Sequence, residues 1–288
     1  MPGTAGPAAP RASSVSGTGS VRCAAAYFPG DSVLAGEPVL RDYLADLAEP
    51  YGVALREDLL AAGVGHSYGE MGEELLRSVV AEDDPLDLLI LPFDIPDVRP
   101  GRSTALYLSS VCPGRPEAFG ISDQGTAAVF TAIRLAGTYL ATGECRSALV
   151  LVLEQSVLHY EPLLADGESA PTLPERHAGV ALRFDGAVPQ VRQYPDVDAD
   201  EAVRRVTEFD SGELSVFVLG EGLAGADAAM SSEVVRPKGQ PLTGIWAAYA
   251  EHTEHWSAER QRVVVADYDM GMRTLSFCVF DAEYGGLG

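Results

Sequence analysis

The stretch from residue 118 to residue 156 constrains the fold more than any other: AFGISDQGTAAVFTAIRLAGTYLATGECRSALVLVLEQS. Its pattern predicts a strand over 118–122, a sharp turn, a helix over 126–141 and a strand over 148–153. In that helix Ala127, Ala128, Val129, Phe130, Ala132, Ile133, Leu135, Ala136, Tyr139 and Leu140 cover nearly every face. A helix apolar all round is buried on all sides. Ser122 or Asp123 is placed to cap it.

The pattern recurs further along the chain. Helix 126–141, strand 148–153 and strand 177–184 are echoed by helix 242–255, strand 263–268 and strand 274–280. A duplicated α/β unit with buried central helices implies a layered stack: helices, sheet, helices, sheet, helices. Other predicted strands lie at 21–28, 86–93 and 214–219, and other helices at 38–51, 70–80, 103–110 and 198–208. Residues 1–19, rich in Gly, Pro, Ala, Ser and Thr, read as a disordered tail without the apolar block of a signal peptide. The two halves are expected over 20–187 and 188–288.

No window approaches 18 consecutive apolar residues, so no membrane span is expected, and a cytoplasmic location follows. The net charge is −22, with Lys238 the sole lysine among 20 basic residues. Such a surface repels nucleic-acid phosphates and anionic membranes, and also acidic carrier proteins unless arginines cluster. Of the four cysteines, Cys23 and Cys278 fall in apolar strands and Cys112 and Cys145 in loops. None has metal-ligand spacing, so no metal or cofactor is expected, only reduced thiols.

Four segments carry a resemblance to the thiolase superfamily, and within it to the β-ketoacyl-ACP synthase III-like ketosynthases. They are residues 86–97 (LDLLILPFDIPD), residues 118–156, residues 178–182 and residues 238–280. The resemblance covers roughly residues 20 to 282. It implies an α/β, five-layer αβαβα fold in two duplicated halves. Family ketosynthases use Cys, His and Asn, the cysteine standing at a helix N-terminus that favours its thiolate. The partners polarise a thioester carbonyl.

Those positions have changed here. Counting from the strand puts the nucleophile at Gly125; counting back from Gly143 puts it at Thr126, which is preferred because helices rarely absorb insertions. Gln124 lies one or two positions away, inviting comparison with chain-length factors. The family histidine maps to Gly220 in Gly220-Glu221-Gly222, and the family asparagine to Gln240, whose longer side chain displaces its amide. The closing glycine-rich turn maps to residues 267–271, where Asp267 and Asp269 replace glycines beside the expected oxyanion position. The segment between Phe184 and Leu214 is shorter than in the family, implying a reduced or open acyl pocket.

The resemblance therefore implies a degenerate site: a ketosynthase-like, non-catalytic subunit of polyketide or fatty-acid-type secondary metabolism. It would pair with a catalytic ketosynthase-type subunit through the strand running from Glu117 to Ser122. The alternative is an acyltransferase, or a binder of acyl-CoA or acyl carrier protein, with Thr126 or Ser122 as acceptor and Asp123 or a histidine as base. His159 and His177 are candidates to approach the turn. His252 and His255, three apart on one helix, read as surface residues, and His66 has no assigned role.

Overall fold

The computed structural model describes residues 11–14, 20–29, 38–162, 172–210, 212 and 215–281. In chain order these form β1 (Arg11–Ser14), β2 (Ser20–Tyr27), α1 (Pro38–Ala48), α2 (Glu57–Ala62), α3 (Tyr68–Val79), β3 (Leu88–Pro92), α4 (Thr104–Val111), β4 (Glu117–Ile121), α5 (Ala127–Thr142) and β5 (Ser147–Glu154). Then come β6 (Ala178–Asp185), β7 (Gln190–Tyr194), α6 (Ala199–Phe209), β8 (Ser215–Leu219), β9 (Glu233–Val235), α7 (Gly244–Ala258), β10 (Arg262–Asp269) and β11 (Thr274–Phe280).

One sheet has the order β1-β2-β6-β5-β3-β4 and the other β7-β11-β10-β8-β9. Leaving β1 aside, the two are the same figure. In each, the first strand lies antiparallel to the last (β2 with β6, β7 with β11). The last lies antiparallel to the one before it (β5 with β6, β10 with β11), which runs parallel to the second strand (β3, β8). The second is parallel to the third, the edge strand β4 or β9. The halves are duplicated, as the helix–strand–strand echo implies.

α5 and α7 lie between the sheets. α5 meets β3 and β5 on one side and β7, β10 and β11 on the other; α7 bridges β2 and β6 to β8 and β10. α3 and α4 cover the outer face of the first sheet and α6 that of the second, completing five αβαβα layers. Strands buried on both faces need near-continuous apolar sequence, which β3, β5 and β10 have. At the centre Phe130 of α5 meets Trp246 of α7 edge-on, ring centroids 5.0 Å apart.

Two expectations are corrected. α5 is enclosed only in its first turns: residues 127–130 are buried, while Arg134, Thr138, Ala141 and Thr142 are not enclosed. Its polar positions collect on one stripe of the C-terminal half, which the apolar count passes over. The expected tail is also partly ordered. Arg11–Ser14 extends the first sheet by pairing antiparallel with β2, which would otherwise present an edge of unpaired backbone groups. Residues 1–10 and 15–19 lie outside the described residues.

All four cysteines are buried and unbridged, including the loop residues Cys112 and Cys145. Among the described residues no helix is long and apolar enough to cross a membrane.

Candidate functional site

β4 ends where α5 begins, and the turn between them is held by two left-handed residues, Asp123 (φ 60°) and Gly125 (φ 50°). Thr126 stands at the helix N-terminus but its own side chain does not cap it. Neither Ser122 nor Asp123 caps α5, contrary to expectation. The Ser122 hydroxyl donates to Asp123 Oδ2 at 2.7 Å, which turns the pair upon itself. Gln124 accepts from the Thr131 hydroxyl at 2.7 Å and so lies back along the helix. The free N–H of Thr126 instead donates to Asp269 Oδ2, from the end of β10, at 2.8 Å. An anionic cap at a helix N-terminus is favourable, and here it arrives from the other half of the chain.

The two aspartates at the end of β10 press on Gly125 and Gly220, two of the positions that the resemblance marks. A Cβ built on Gly125 would lie 2.8 Å from Asp269 Cγ and nearer still to Oδ2. One built on Gly220 would lie 2.8 Å from Asp267 Oδ2, with Cγ and Oδ1 closer. Real Cβ atoms do not approach that near, so neither position accepts any side chain while the aspartates stand where they are.

Asp267 is fully enclosed, and burial raises its carboxyl to about 6 against the lowering influence of the nearby Thr126 side chain and of the Tyr268 N–H, which donates to Oδ1 at 2.8 Å. Asp269 lies close enough to add repulsion. Asp94, after β3, keeps an exposed edge, yet loss of water and then the charges of Asp269 and Asp123 push it up as well. This crowd of carboxylates disfavours further negative charge beside the N-terminus of α5.

Gln240 is not free to polarise a substrate. Its Nε2 donates to Glu154 Oε1 at 2.9 Å and to the Arg176 carbonyl at 3.0 Å, while its Oε1 accepts from the Arg176 N–H at 2.9 Å. Glu154, the last residue of β5, also accepts from the N–H groups of Leu242 and Thr243 at 2.7 and 2.6 Å and so caps α7. Burial raises Glu154 to about 7, against the lowering pull of those hydrogen bonds. Sequence reasoning passed over Glu154; the signal was a carboxylate closing a strand that is otherwise almost wholly apolar.

The histidines gather elsewhere. His177 accepts from the Ser156 N–H through Nδ1 at 3.2 Å and meets the His66 ring edge-on at 5.3 Å. His159 Nε2 is held 2.7 Å from the Val64 carbonyl. Neither hydrogen-bonds the 122–126 turn. Burial, then the neighbouring His66 and His159, lowers His177 to about 4. With Nδ1 accepting, the neutral His177 ring carries its proton on Nε2 and cannot serve as base to the Ser156 hydroxyl. His252 stacks on Trp256 and His255 faces Glu259, both at the surface. No trio of His, Cys, Asp or Glu among the described residues is placed to hold a metal ion.

No family model matches the sequence, and no curated protein does. Solved structures match its shape. OleA of Xanthomonas campestris, as a variant with bound lauric acid and lauroyl-CoA, aligns with TM-score 0.60 and 14% identity over 93% of this chain and 98% of that one. ChlB3, described as an acyltransferase, aligns with TM-score 0.58 and 14% identity over 95% and 99%. 3-Oxoacyl-[acyl-carrier-protein] synthase III of Aquifex aeolicus aligns with TM-score 0.54 and 14% identity over 75% and 85%. The protein therefore has the thiolase fold. Its form of that fold is the one seen in synthase III-like condensing enzymes.

Proposed function

We propose that this chain is a ketosynthase-like subunit that does not itself carry out condensation, and that it pairs with a catalytic ketosynthase-type subunit in polyketide or fatty-acid-type biosynthesis. One observation supports the reading: at Gly125 and Gly220, two of the positions that the resemblance marks, Asp269 and Asp267 stand too close to leave room for a side chain. The locked amide of Gln240 adds to it. β4 lies at the edge of its sheet and is half exposed, which supports it as the pairing strand.

A second reading rests on Thr126 at the N-terminus of α5, with the buried Asp267 carboxylate beside it. A carboxylate with a raised pKa is a competent general base, and Thr126 would then accept an acyl group with loss of the thiol.

Intact-protein mass spectrometry separates the two. The chain is incubated with acyl-CoA and acyl-carrier thioesters beside a cysteine ketosynthase. The proposal expects an adduct on the ketosynthase and none on this chain. An acyl adduct lost in Thr126→Ala would establish the second reading. A homodimer that condenses acyl thioesters unaided would refute the first.

A further inference from the structure

α1 buries one face and leaves the next one bare. Leu40, Leu44 and Ala48 pack inward, with Leu60 and Leu55 beside the two leucines. Val39, Tyr43, Leu47 and Tyr51, at intervals of four, are 77%, 44%, 50% and 68% exposed. Tyr51 belongs to the short helical turn that continues α1. Leu47 and Tyr51 also form one wall of an apolar groove of about 250 Å³, closed by Val53 and by Tyr160, which bridges to Leu55. An apolar stripe along a helix, with a groove beside it, is a contact surface of the helix-in-groove kind.

The charges around it select the occupant. Arg41 is already held by Glu57 at 3.0 and 2.6 Å, and Arg56 by Asp58 at 3.0 and 2.8 Å. Asp46 and Glu49 are exposed, and among the described residues neither is paired with a cation. The stripe is therefore apolar with an uncompensated acidic border. A second copy would bring the same border and another −22 of charge, and an anionic lipid surface would be repelled.

We propose that the Val39–Tyr43–Leu47–Tyr51 stripe and its groove dock a basic amphipathic helix of a partner protein. The helix would set an apolar side chain into the groove and lysines or arginines against Asp46 and Glu49. This surface does not depend on the reading of the catalytic positions.

The probe is a labelled helical peptide of leucine and lysine, about five turns long, with one apolar face, and a twin carrying glutamate for lysine. Fluorescence anisotropy is read against the full chain at physiological salt. The leucine–lysine peptide should bind and the glutamate twin should not. Leu47→Asp adds a negative charge, so it would tighten any merely electrostatic binding; docking on the stripe requires it to raise the dissociation constant by about tenfold or more. Tyr51→Ala, which adds no charge, should weaken binding in the same direction. Unchanged or tighter binding in Leu47→Asp, or equal binding of the twin, overturns the proposal. So does self-association or sedimentation with phosphatidylglycerol vesicles that Leu47→Asp abolishes, since either assigns the stripe to another occupant. Both residues are half exposed or more, so the variants are expected to keep the wild-type urea midpoint.

Discussion

Replacing Gly125 by alanine tests whether Asp269 fills the space of a lost side chain. Alanine at φ 50° costs about 1 kcal/mol in backbone strain alone. Its Cβ, built 2.8 Å from Asp269 Cγ, must also expel that carboxylate. Asp269 then gives up two hydrogen bonds, from the Thr126 N–H and the Met272 N–H, both 2.8 Å. At about 1 kcal/mol each in this half-buried setting, the single variant should lose about 3 kcal/mol. Asp269→Gly loses the same two bonds without the strain, about 2 kcal/mol. In the double variant the bonds are already gone and the clash is absent, so it should resemble Gly125→Ala alone. The coupling between the sites is therefore about 2 kcal/mol, and the reasoning depends on its being clearly non-zero. Urea unfolding followed by the emission of buried Trp246 and Trp256 measures it. Losses that add to within about 0.5 kcal/mol would refute the claim that the two positions share one space.

Three further outcomes are expected. Arg183, fully buried, holds Asp84 at 2.7 Å and Asp185 at 3.1 Å, so Arg183→Met should cost about 3 kcal/mol in urea unfolding, well beyond Arg22→Met at the more open end of the network. Glu154 is raised to about 7 from an ordinary 4.5, so the folded state binds the extra proton between those values. Its stabilising contribution is present below about pH 4.5 and lost as pH rises through 7, at up to about 1.4 kcal/mol per pH unit, and Glu154→Gln should flatten that part of the stability profile. His177 has the opposite sign: lowered from 6.5 to about 4, it costs stability as pH falls through that window. His177→Phe should therefore be less acid-sensitive than the parent chain in thermal melts at about pH 7 and about pH 5.

Much of the fold was legible in the chain. The apolar runs at 86–93, 148–153 and 263–268 read as buried strands, and the helix–strand–strand echo revealed the duplication, because local period and doubled order are written residue by residue. Less legible were β7, whose composition is too polar to stand out, β9, only three residues long, and the pairing of Arg11–Ser14. At the candidate site, sequence reasoning named Gly125, Thr126, Gly220 and Gln240 and noted the aspartates at 267 and 269. It placed a cap on Ser122 or Asp123 and missed Glu154.

What the sequence determined by itself was the layered architecture; the thiolase resemblance added the expectation that Gly125 or Thr126, Gly220 and Gln240 stand at its reacting positions. The architecture follows from residue type and order, which need no third dimension. Only the tertiary structure decided which side chains meet at those positions. Asp269 reaches Thr126 across 143 positions of chain, Glu154 reaches Leu242 across 88, and Asp267 lies against Gly220 from the neighbouring strand. Such contacts depend on how the two sheets face one another across α5 and α7, and no local pattern encodes that distance.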